Sequence, residues 1–504
     1  MIPRATARRI SQRELESYLW GAATLLRGLI DAGDYKGYIF PLVFLKRISD
    51  VWDEEHSHAL EMYNGDEELA DLPENHRFTI PVGAHWDDIR QATGDVGRKL
   101  VTAMRAIEVA NPDALSGVFG DADWTNKELL SDRVLGDLVE HFSTRTLSVA
   151  NLPEDELGNG YEYLIKKFAD DSGHTAQEFY TNRTLVHLMT QMLDPQPGES
   201  VYDPTCGTGG MLISCAAEVK RRGQEHRTLR LYGQERNYTT ASIAKMNLFL
   251  HGIEDGRIAH GDTLLAPAFL DSAGGLQRFD VVLANPPYSI KAWNRDAFAA
   301  DPYGRSIWGV PPQGRADYAF FQHIAASLNP HSGRAAILFP HGVLFRQEEK
   351  LLRERLVRSG LLESVIGLGA GLFYNSPMEA VVVTLRAGRP ADQTSNVLFI
   401  NAVDLVARER AQSFLRDRDR ATILDAYQRR TNIPWLATIA TLEEIASKDF
   451  SLAIPLYVKQ LRPANGESAN EGGLAEAGTV WRAAADEADA AVTHVLKLLR
   501  AEAS

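Results

Sequence analysis

The chain has 504 residues, 44% of them hydrophobic and 24% charged, which is the composition of a globular protein large enough for two or three domains. A net charge of −14 argues against a protein that holds nucleic acid unaided, because such proteins normally present a basic surface. No apolar run approaches a membrane span, and no apolar core follows the basic start, so we expect neither a membrane protein nor a secretory signal but a cytoplasmic protein.

Residues 1–170 are predicted to form a helical domain. Ser11 and Glu14 have the spacing of a capping box, and apolar residues follow at helical intervals as far as Leu29. Four further helices are predicted at Asp34–Glu55, Val96–Val109, Asn126–Phe142 and Tyr161–Phe168. Packing within a helical core is the simplest explanation of these apolar stripes.

A short strand followed by a glycine-rich loop opens the next region. Residues 199–204 form the predicted strand, which ends at Asp203, and the chain continues as Thr205-Cys206-Gly207-Thr208-Gly209-Gly210 into an apolar helix. Glycines let a backbone approach a ligand, and the helix N-terminus behind them offers unpaired N–H groups to a carboxylate. A glycine loop alone is weak evidence, because dinucleotide-binding folds use one as well.

Acidic residues follow two more predicted strands. Glu235 comes after the strand at Leu229–Gln234 and can hydrogen-bond the two hydroxyls of a ribose, as acids so placed do in dinucleotide folds. Asp262 comes after the strand at Arg257–His260. Each acid alone could equally be a cap at a strand end. Together with Asp203 they are three acids at three successive strand ends, which caps explain poorly.

The tetrapeptide Asn285-Pro286-Pro287-Tyr288 closes the apolar run Phe279–Ala284, which predicts a buried parallel strand that stops at a rigid loop. In an open α/β sheet, residues just past the carboxyl end of a strand line the ligand crevice. The alternative is that the prolines form only a stiff turn.

These four residues suit an amino group on a planar ring, such as adenine N6, whose lone pair is delocalised into the ring. The side-chain oxygen of Asn285 and the carbonyl of Pro286 can each accept one N–H of that group, and Tyr288 can stack on the ring. Such contacts strengthen as charge builds on the nitrogen, so they favour the transition state.

The stretch Ser289–Arg315 is predicted to be long and irregular, with interleaved basic and aromatic residues at Lys291, Trp293, Arg295, Tyr303, Arg305 and Trp308. That pattern suits phosphate contacts and base stacking, and the alternative is a surface flap held by buried tryptophans. A helix from Ala316 and strands at Arg334–Pro340, Ser364–Leu368 and Ala380–Leu385 are predicted to complete the sheet. Phe373 and Tyr374 could face a flipped base or pack in the core.

The chain is predicted to divide into a helical domain at 1–170, a catalytic domain at 171–400 and a C-terminal region at 401–504. Within the last, 463–478 has the composition of a linker, and 479–502 predicts an amphipathic helix. This helix either folds back on the chain or docks on a partner.

The tetrapeptide and the pattern Asp-Pro-x-Cys-Gly-x-Gly at 203–209 resemble those of gamma-type adenine-N6 DNA methyltransferases. Segments at 20–23, 44–48, 442–445 and 449–452 resemble the modification subunit of type I restriction-modification systems. The resemblance implies an α/β fold: a Rossmann-like S-adenosylmethionine-dependent methyltransferase sheet, with an all-helical N-terminal domain and a C-terminal helical tail. It also implies methyl transfer from S-adenosylmethionine to adenine N6 in DNA.

The same resemblance assigns the site. The catalytic residues are Asn285, Pro286, Pro287 and Tyr288. The residues implied to bind the cofactor are Glu178, Phe179, Tyr180, Thr181, Asn182, Arg183, Asp203, Thr205, Cys206, Gly207, Gly209, Glu235 and Asp262. Asp262 is expected on the cofactor adenine, and 178–183 over its methionine end, with Asn182 where the family pattern has proline. No metal or covalent nucleophile is expected, and Cys206 is interpreted as a small loop residue.

The implied partners are DNA and a specificity subunit that reads it, which would resolve the unfavourable charge. A second copy of this chain and a restriction subunit are further expected partners, and no membrane is. Three alternatives remain open: a protein-glutamine methyltransferase with the same tetrapeptide, a non-catalytic assembly component, and a nicotinamide oxidoreductase. The last leaves the tetrapeptide unexplained.

Overall fold

The fold is described from a computed structural model, which covers residues 9–171, 181–373, 378–408 and 413–459. Several sequence predictions lie outside these residues: those for Glu178, Phe179, Tyr180 and Tyr374, for the linker at 463–478 and for the helix at 479–502. Within the described residues, no helix is both long enough and apolar enough to cross a membrane.

The N-terminal region is helical, as predicted. Its helices are α1 (Gln12–Leu25), α2 (Tyr35–Met62), α3 (Glu67–Ala70), α4 (Trp86–Arg90), α5 (Val96–Ala110), α6 (Pro112–Leu115), α7 (Asp132–Ser143) and α8 (Glu154–Asp171). The predicted capping box is confirmed, because the hydroxyl of Ser11 accepts from the backbone of Glu14 and the Glu14 carboxylate accepts from the backbone of Ser11.

Three predicted helix boundaries in this region are wrong. The helix expected to end at Glu55 continues to Met62. The helix expected from Asn126 begins at Asp132, because Ser131 caps it by accepting the N–H of Val134. The helix expected from Tyr161 begins a full two turns earlier, at Glu154. These last two helices begin with polar residues, so the spacing of apolar residues does not show where they start.

The remaining described chain builds one mixed sheet with helices on both faces. Its strands are β1 (Ser200–Asp203), β2 (Arg230–Glu235), β3 (Arg257–His260), β4 (Val281–Ala284), β5 (Arg334–Pro340), β6 (Leu362–Ala370), β7 (Glu379–Arg386), β8 (Asn396–Ala402) and β9 (Ala437–Thr441). Its helices are α9 (Arg183–Leu193), α10 (Gly210–Arg221), α11 (Tyr238–Leu250), α12 (Arg295–Ala299), α13 (Asp317–Ala326), α14 (Lys350–Arg358), α15 (Ala391–Thr394), α16 (Asp417–Arg429) and α17 (Leu442–Ser447).

The strands lie in the order β3-β2-β1-β4-β5-β7-β6-β8-β9. The first five strands along the chain are mutually parallel where they pair, whereas β7 runs antiparallel to both of its neighbours. The chain moves outward from β1 to β3 and then returns to the other side of β1 with β4. The strand order therefore reverses between β1 and β4, which is the place where ligands bind in open α/β sheets.

The sheet is larger than predicted, because β8 and β9 were not expected. β8 pairs in parallel with β6, and β9 pairs antiparallel with β8. β9 is composed of alanine, threonine and one isoleucine, which gives little apolar signal. The sheet therefore extends beyond residue 400, and the three-domain division stays a prediction.

One helix connects the two parts of the described chain. α11 follows β2 and packs beside the sheet, yet its residues Ile243, Met246 and Leu250 belong to the hydrophobic core of the helical region. The helical region is therefore packed directly on a helix that adjoins the ligand edge of the sheet.

Candidate active site

The carboxyl ends of four neighbouring parallel strands bring the predicted residues to one edge of the sheet. β1 ends at Asp203 and β2 at Glu235, while Asp262 and Asn285 lie just beyond β3 and β4. The four strands are short apolar runs, each stopped by a polar residue, a glycine or a proline. Parallel pairing then places the residues that follow them side by side.

Asp203 is a buried carboxyl group, only 2% exposed. It accepts a hydrogen bond of 3.0 Å from the backbone N–H of Thr205. Burial, together with the negative charge of Glu235, raises the pKa of Asp203 to about 8. A cationic ligand group beside this carboxyl would favour its ionised form.

Glu235 closes the glycine loop from the next strand. One of its carboxylate oxygens accepts the N–H of Gly207 at 3.1 Å, and the other accepts the N–H of Asn237 at 2.8 Å. A carboxylate has about four lone-pair sites on its two oxygens, which suits acceptance from the hydroxyls of a ligand.

The glycine loop has a backbone conformation that favours glycine at two positions. Gly207 and Gly209 have φ of +53° and +81°, and a Cβ at Gly209 would lie 2.6 Å from Cδ1 of Leu248. Cys206 is buried in the loop, and burial raises the pKa of its thiol. The expectation that Cys206 is a small loop residue rather than a nucleophile agrees with this environment.

Asp262 is held by the turn after β3. Its Oδ1 accepts the N–H of Leu264 at 3.0 Å, which is the capping role considered as the alternative for this acid. Its Oδ2 lies 3.7 Å from Nε of Arg236, and the residue also lines the main cavity. Asp262 therefore caps the turn and is available to a ligand at the same time.

The amide of Asn285 has a partner at each end. Its Nδ2 donates to Oγ1 of Thr181 at 2.9 Å, and its Oδ1 accepts from the hydroxyl of Tyr288. Just beyond, Ser289 adopts a φ of +49°, and its N–H donates to the buried carboxylate of Asp317 at 2.8 Å. The sequence analysis did not single out Asp317 for this role; an acid at the start of an apolar helix was its only signal.

Of the predicted segment 178–183, the last three residues are described. Asn182 caps α9 by accepting the N–H of Thr184 at 3.0 Å, and its Nδ2 donates to the carbonyl of Ser413 at 2.8 Å. Arg183 donates to the carbonyl of Gly210 at 3.4 Å and pairs with Glu162. Two hydrogen bonds of the Asn182 side chain thus fix the segment at the position where the family pattern has proline.

A cavity of about 930 Å³ lies over this edge of the sheet. Among the predicted site residues, its lining includes Thr181, Asn182, Thr205, Glu235, Asp262 and the tetrapeptide Asn285–Tyr288. A smaller cavity of about 30 Å³ is lined by Asp203, Cys206, Gly207 and Arg183 together with Thr181, Thr205 and Asn285. Gly209 lines neither cavity and instead caps α10. The catalytic and cofactor predictions therefore meet at Thr181, Thr205 and Asn285.

The far wall of the main cavity is apolar and aromatic. The ring of Phe373 meets the ring of Tyr288 edge-on, with centroids 4.9 Å apart, and Met378 lies close by with 42% exposure. Trp293 also lines this wall and donates its indole N–H to the carbonyl of Gln313 at 2.8 Å. Phe373 is buried in the hydrophobic core, as the core-packing alternative expected, and one part of its ring also lines the cavity beside Tyr288.

Much of the loop 289–315 packs inside the protein and supports the turn after β3. Arg305 and Trp308 are buried, with exposures of 1% and 4%. The guanidinium of Arg305 donates to the carbonyls of Thr263 and Leu264, both at 2.8 Å, beside the turn that holds Asp262. The expectation that Arg305 and Trp308 contact phosphates or bases is thus wrong, because burial takes both side chains out of reach; Lys291 and Trp293 line the cavity.

Comparison with known proteins agrees with this geometry. The sequence pattern of the family described as N-6 DNA Methylase matches residues 153–465, more than half of the chain, and that of the HsdM N-terminal domain matches residues 15–142. A type I restriction enzyme methylase subunit of Haemophilus influenzae is 30% identical, over 77% of this chain and 85% of that protein. One from Methanocaldococcus jannaschii is 27% identical, over 88% and 84%.

A solved structure has the same fold. The methyltransferase subunit of a type I restriction-modification system from Streptococcus thermophilus superposes with a TM-score of 0.77 at 30% sequence identity. The match covers 89% of this chain and 100% of that one.

Proposed function

The chain belongs to the N-6 DNA methylase family and, within it, to the methylase subunits of type I restriction enzymes, and on this premise we propose how its site works. It transfers a methyl group from S-adenosylmethionine to N6 of adenine in DNA, as the modification subunit of a type I restriction-modification system. The observation that carries the proposal is the position of Asn285, which lines both the main cavity and the smaller cavity at the glycine loop.

The residues at the glycine loop fit S-adenosylmethionine. The buried carboxyl of Asp203 suits the cationic amino group of its methionine part, and the carboxylate of Glu235 is the type of acceptor that suits the ribose hydroxyls. Asp262 lines the same cavity as Glu235, and its carboxylate suits the adenine amino group. Gly207 leaves the backbone open to close approach. When bound, the cofactor supplies an electrophilic methyl group on a sulfonium.

The tetrapeptide prepares the target nitrogen. The Oδ1 of Asn285 and the carbonyl of Pro286 accept the two N–H groups of adenine N6, which draws the nitrogen toward tetrahedral geometry and frees its lone pair. A bound S-adenosylmethionine would supply the methyl group from its sulfonium to the freed lone pair of N6, and the proton that N6 must then lose would pass to solvent. Positioning and these two acceptors supply the catalysis.

The target adenine must leave the DNA stack to reach Asn285. The main cavity is lined by aromatic side chains that suit a planar base. The rings of Tyr288 and Phe373 are inclined to each other at 66°, so one can stack on the base while the other meets its edge. Flipping a base requires a grip on the duplex, which a chain of net charge −14 supplies poorly alone.

We therefore propose that a separate specificity subunit reads the DNA and that the predicted helix at 479–502 docks on it. A second copy of this chain and a restriction subunit complete the proposed assembly. The three-part division is retained with one change: the catalytic domain extends to residue 458, because Phe450, Leu452 and Tyr457 lie in the core beside the sheet. The cytoplasmic location stays a prediction.

The test uses labelled S-adenosylmethionine and unmethylated genomic DNA, with the chain alone and with its specificity subunit. We expect label in N6-methyladenine, and we expect it only when the specificity subunit is present. Label on a protein glutamine would favour the glutamine methyltransferase, and cofactor binding without any transfer would favour a non-catalytic component.

A further inference from the structure

Thr181 lies directly before α9 and at the junction of the two cavities, whose linings share Thr181, Thr205 and Asn285. Its hydroxyl oxygen accepts a hydrogen bond of 2.9 Å from Nδ2 of Asn285. The two residues are 104 positions apart in the chain, so this bond ties the segment before α9 to the end of β4.

The orientation of the Asn285 amide matters, because its two ends are similar in shape and opposite in chemistry. Only the oxygen can accept an N–H of the target amino group, and the nitrogen end would oppose it with donors of its own. The last torsion of an asparagine side chain is broad and roughly two-fold, so it does not select one end by itself. The hydroxyl of Tyr288 holds the oxygen end only until the target base replaces it, so the partner at the nitrogen end is the one that keeps the orientation during the reaction.

The hydroxyl of Thr181 is held on a fixed support. The adjoining Asn182 is buried and caps α9, and its Nδ2 donates to the carbonyl of Ser413 at 2.8 Å. The hydroxyl of Thr184 completes the support by donating to Asn182 at 2.7 Å and accepting the N–H of Leu415 at 3.0 Å. The residue that follows Thr181 is therefore anchored both to α9 and to the segment at 413–415, which fixes the backbone next to Thr181.

We infer that Thr181 is a positioning residue for methyl transfer: its hydroxyl holds Nδ2 of Asn285 so that Oδ1 faces the target amino group. The bond to Nδ2 also polarises the amide, which makes Oδ1 a better acceptor. This inference rests on the proposed function. The family resemblance implied that Thr181 binds the cofactor, whereas the inference assigns its hydroxyl to Asn285, and an unchanged Kd for S-adenosylmethionine distinguishes the two roles.

The substitution Thr181→Val keeps the shape of the side chain and removes the acceptor. We expect kcat to fall about tenfold or more, because one lost hydrogen bond can raise the barrier by about 1.4 kcal/mol. KM for DNA and the Kd for S-adenosylmethionine should change by no more than about threefold, since the contact acts on the transition state. Thr181→Ser restores the hydroxyl and should recover most of kcat.

Thr190→Val is the matched control. Thr190 lies on α9 as well, is buried, and donates its hydroxyl to Ser214 at 3.0 Å, away from the tetrapeptide. This variant should lower the melting temperature and leave kcat unchanged. Thr181→Ala removes the same hydroxyl with less bulk and serves if the valine variant does not fold.

The measurements are initial rates on unmethylated genomic DNA with the specificity subunit present, cofactor affinity by calorimetry, and melting temperature. A loss of kcat in the valine or alanine variant with recovery in the serine variant supports the inference. Wild-type kcat in the valine variant, equal losses in valine and serine, or a parallel loss of cofactor affinity would overturn it. Absence of adenine methylation by the wild type would instead overturn the proposed function, and this inference with it.

Discussion

The buried side chain of Asn247 donates a hydrogen bond of 2.8 Å to the backbone carbonyl of Thr208. Asn247 lies on α11, and Ile243 and Met246 of the same helix belong to the core of the helical region. Thr208 lies inside the glycine loop. One helix therefore connects the packing of the helical region to the conformation of the proposed cofactor loop.

Replacing this asparagine should weaken cofactor binding from a distance. Asn247→Ala leaves the Thr208 carbonyl without its partner, and we expect the Kd for S-adenosylmethionine to rise by about tenfold, the upper end for one hydrogen bond. Calorimetric titration measures it. Asn329→Ala is the control, because Asn329 donates to Asp280 at the opposite edge of the sheet, at 3.1 Å. An unchanged Kd in the Asn247 variant would show that the loop holds its shape without α11.

The hydroxyl of Tyr288 occupies the same amide oxygen that the mechanism assigns to the target adenine. Entry of the base must therefore replace this bond. Tyr288→Phe keeps the ring and leaves Oδ1 of Asn285 available to the base, so kcat should stay within about threefold of the wild type. Tyr288→Ala removes the stacking surface, so kcat should fall by about tenfold or more. Equal losses in the two variants, measured as methyl-transfer rates, would mean that the hydroxyl itself is required.

The raised pKa of Asp203 makes the ligand-free protein sensitive to pH. Because burial raises this pKa from 3.8 to about 8, the folded state binds an additional proton across that window. The contribution of Asp203 to stability is thus fully present below about pH 4 and is lost as pH rises toward 8, by up to about 1.4 kcal/mol per pH unit.

Asp203→Asn removes this dependence. The ligand-free variant should be more stable than the wild type at pH 8, and the difference should shrink toward pH 5, as measured by urea unfolding at each pH. Binding of S-adenosylmethionine should weaken, because the amide has no charge for the cofactor amino group. Parallel pH profiles in the two proteins would contradict the assignment of a raised pKa to this carboxyl.

Arg305 braces the turn beside Asp262 through an ion pair that is almost wholly buried, with side-chain exposures of 1% for Arg305 and 2% for Asp301. Arg305→Met leaves the Asp301 carboxylate buried without its partner, so the free energy of unfolding should fall by about 3–5 kcal/mol. Arg358→Met, which removes an ion pair at the surface, should cost about 0–1 kcal/mol. If Arg305→Met lowered the free energy of unfolding by only about 0–1 kcal/mol in urea, that result would contradict the bracing role.

The strands that carry the site were predictable to within about two residues, because each is a short apolar run stopped by an acid, a glycine or a proline. Parallel strands share one edge, so the grouping of Asp203, Glu235 and Asn285 followed from the strand order expected for an α/β sheet. Local pattern and topology were sufficient here, since both act within a few residues of each strand end.

Contacts between distant segments could not be predicted in this way. The bond from Asn285 to Thr181 spans 104 positions, and no local pattern encodes it. Arg305 illustrates the same limit, because a basic residue in a polar loop has the same sequence signal whether it meets a phosphate or a buried aspartate. Its partners became apparent only when the loop was placed against the turn after β3.

The most direct test of the central claim is nucleoside analysis of DNA methylated by the wild type and by Asn285→Ala, each with the specificity subunit. The account predicts N6-methyladenine with the wild type and none with the variant, while the variant still binds S-adenosylmethionine by calorimetry. Full N6-methyladenine formation by Asn285→Ala, or methylation of another base by the wild type, would contradict it.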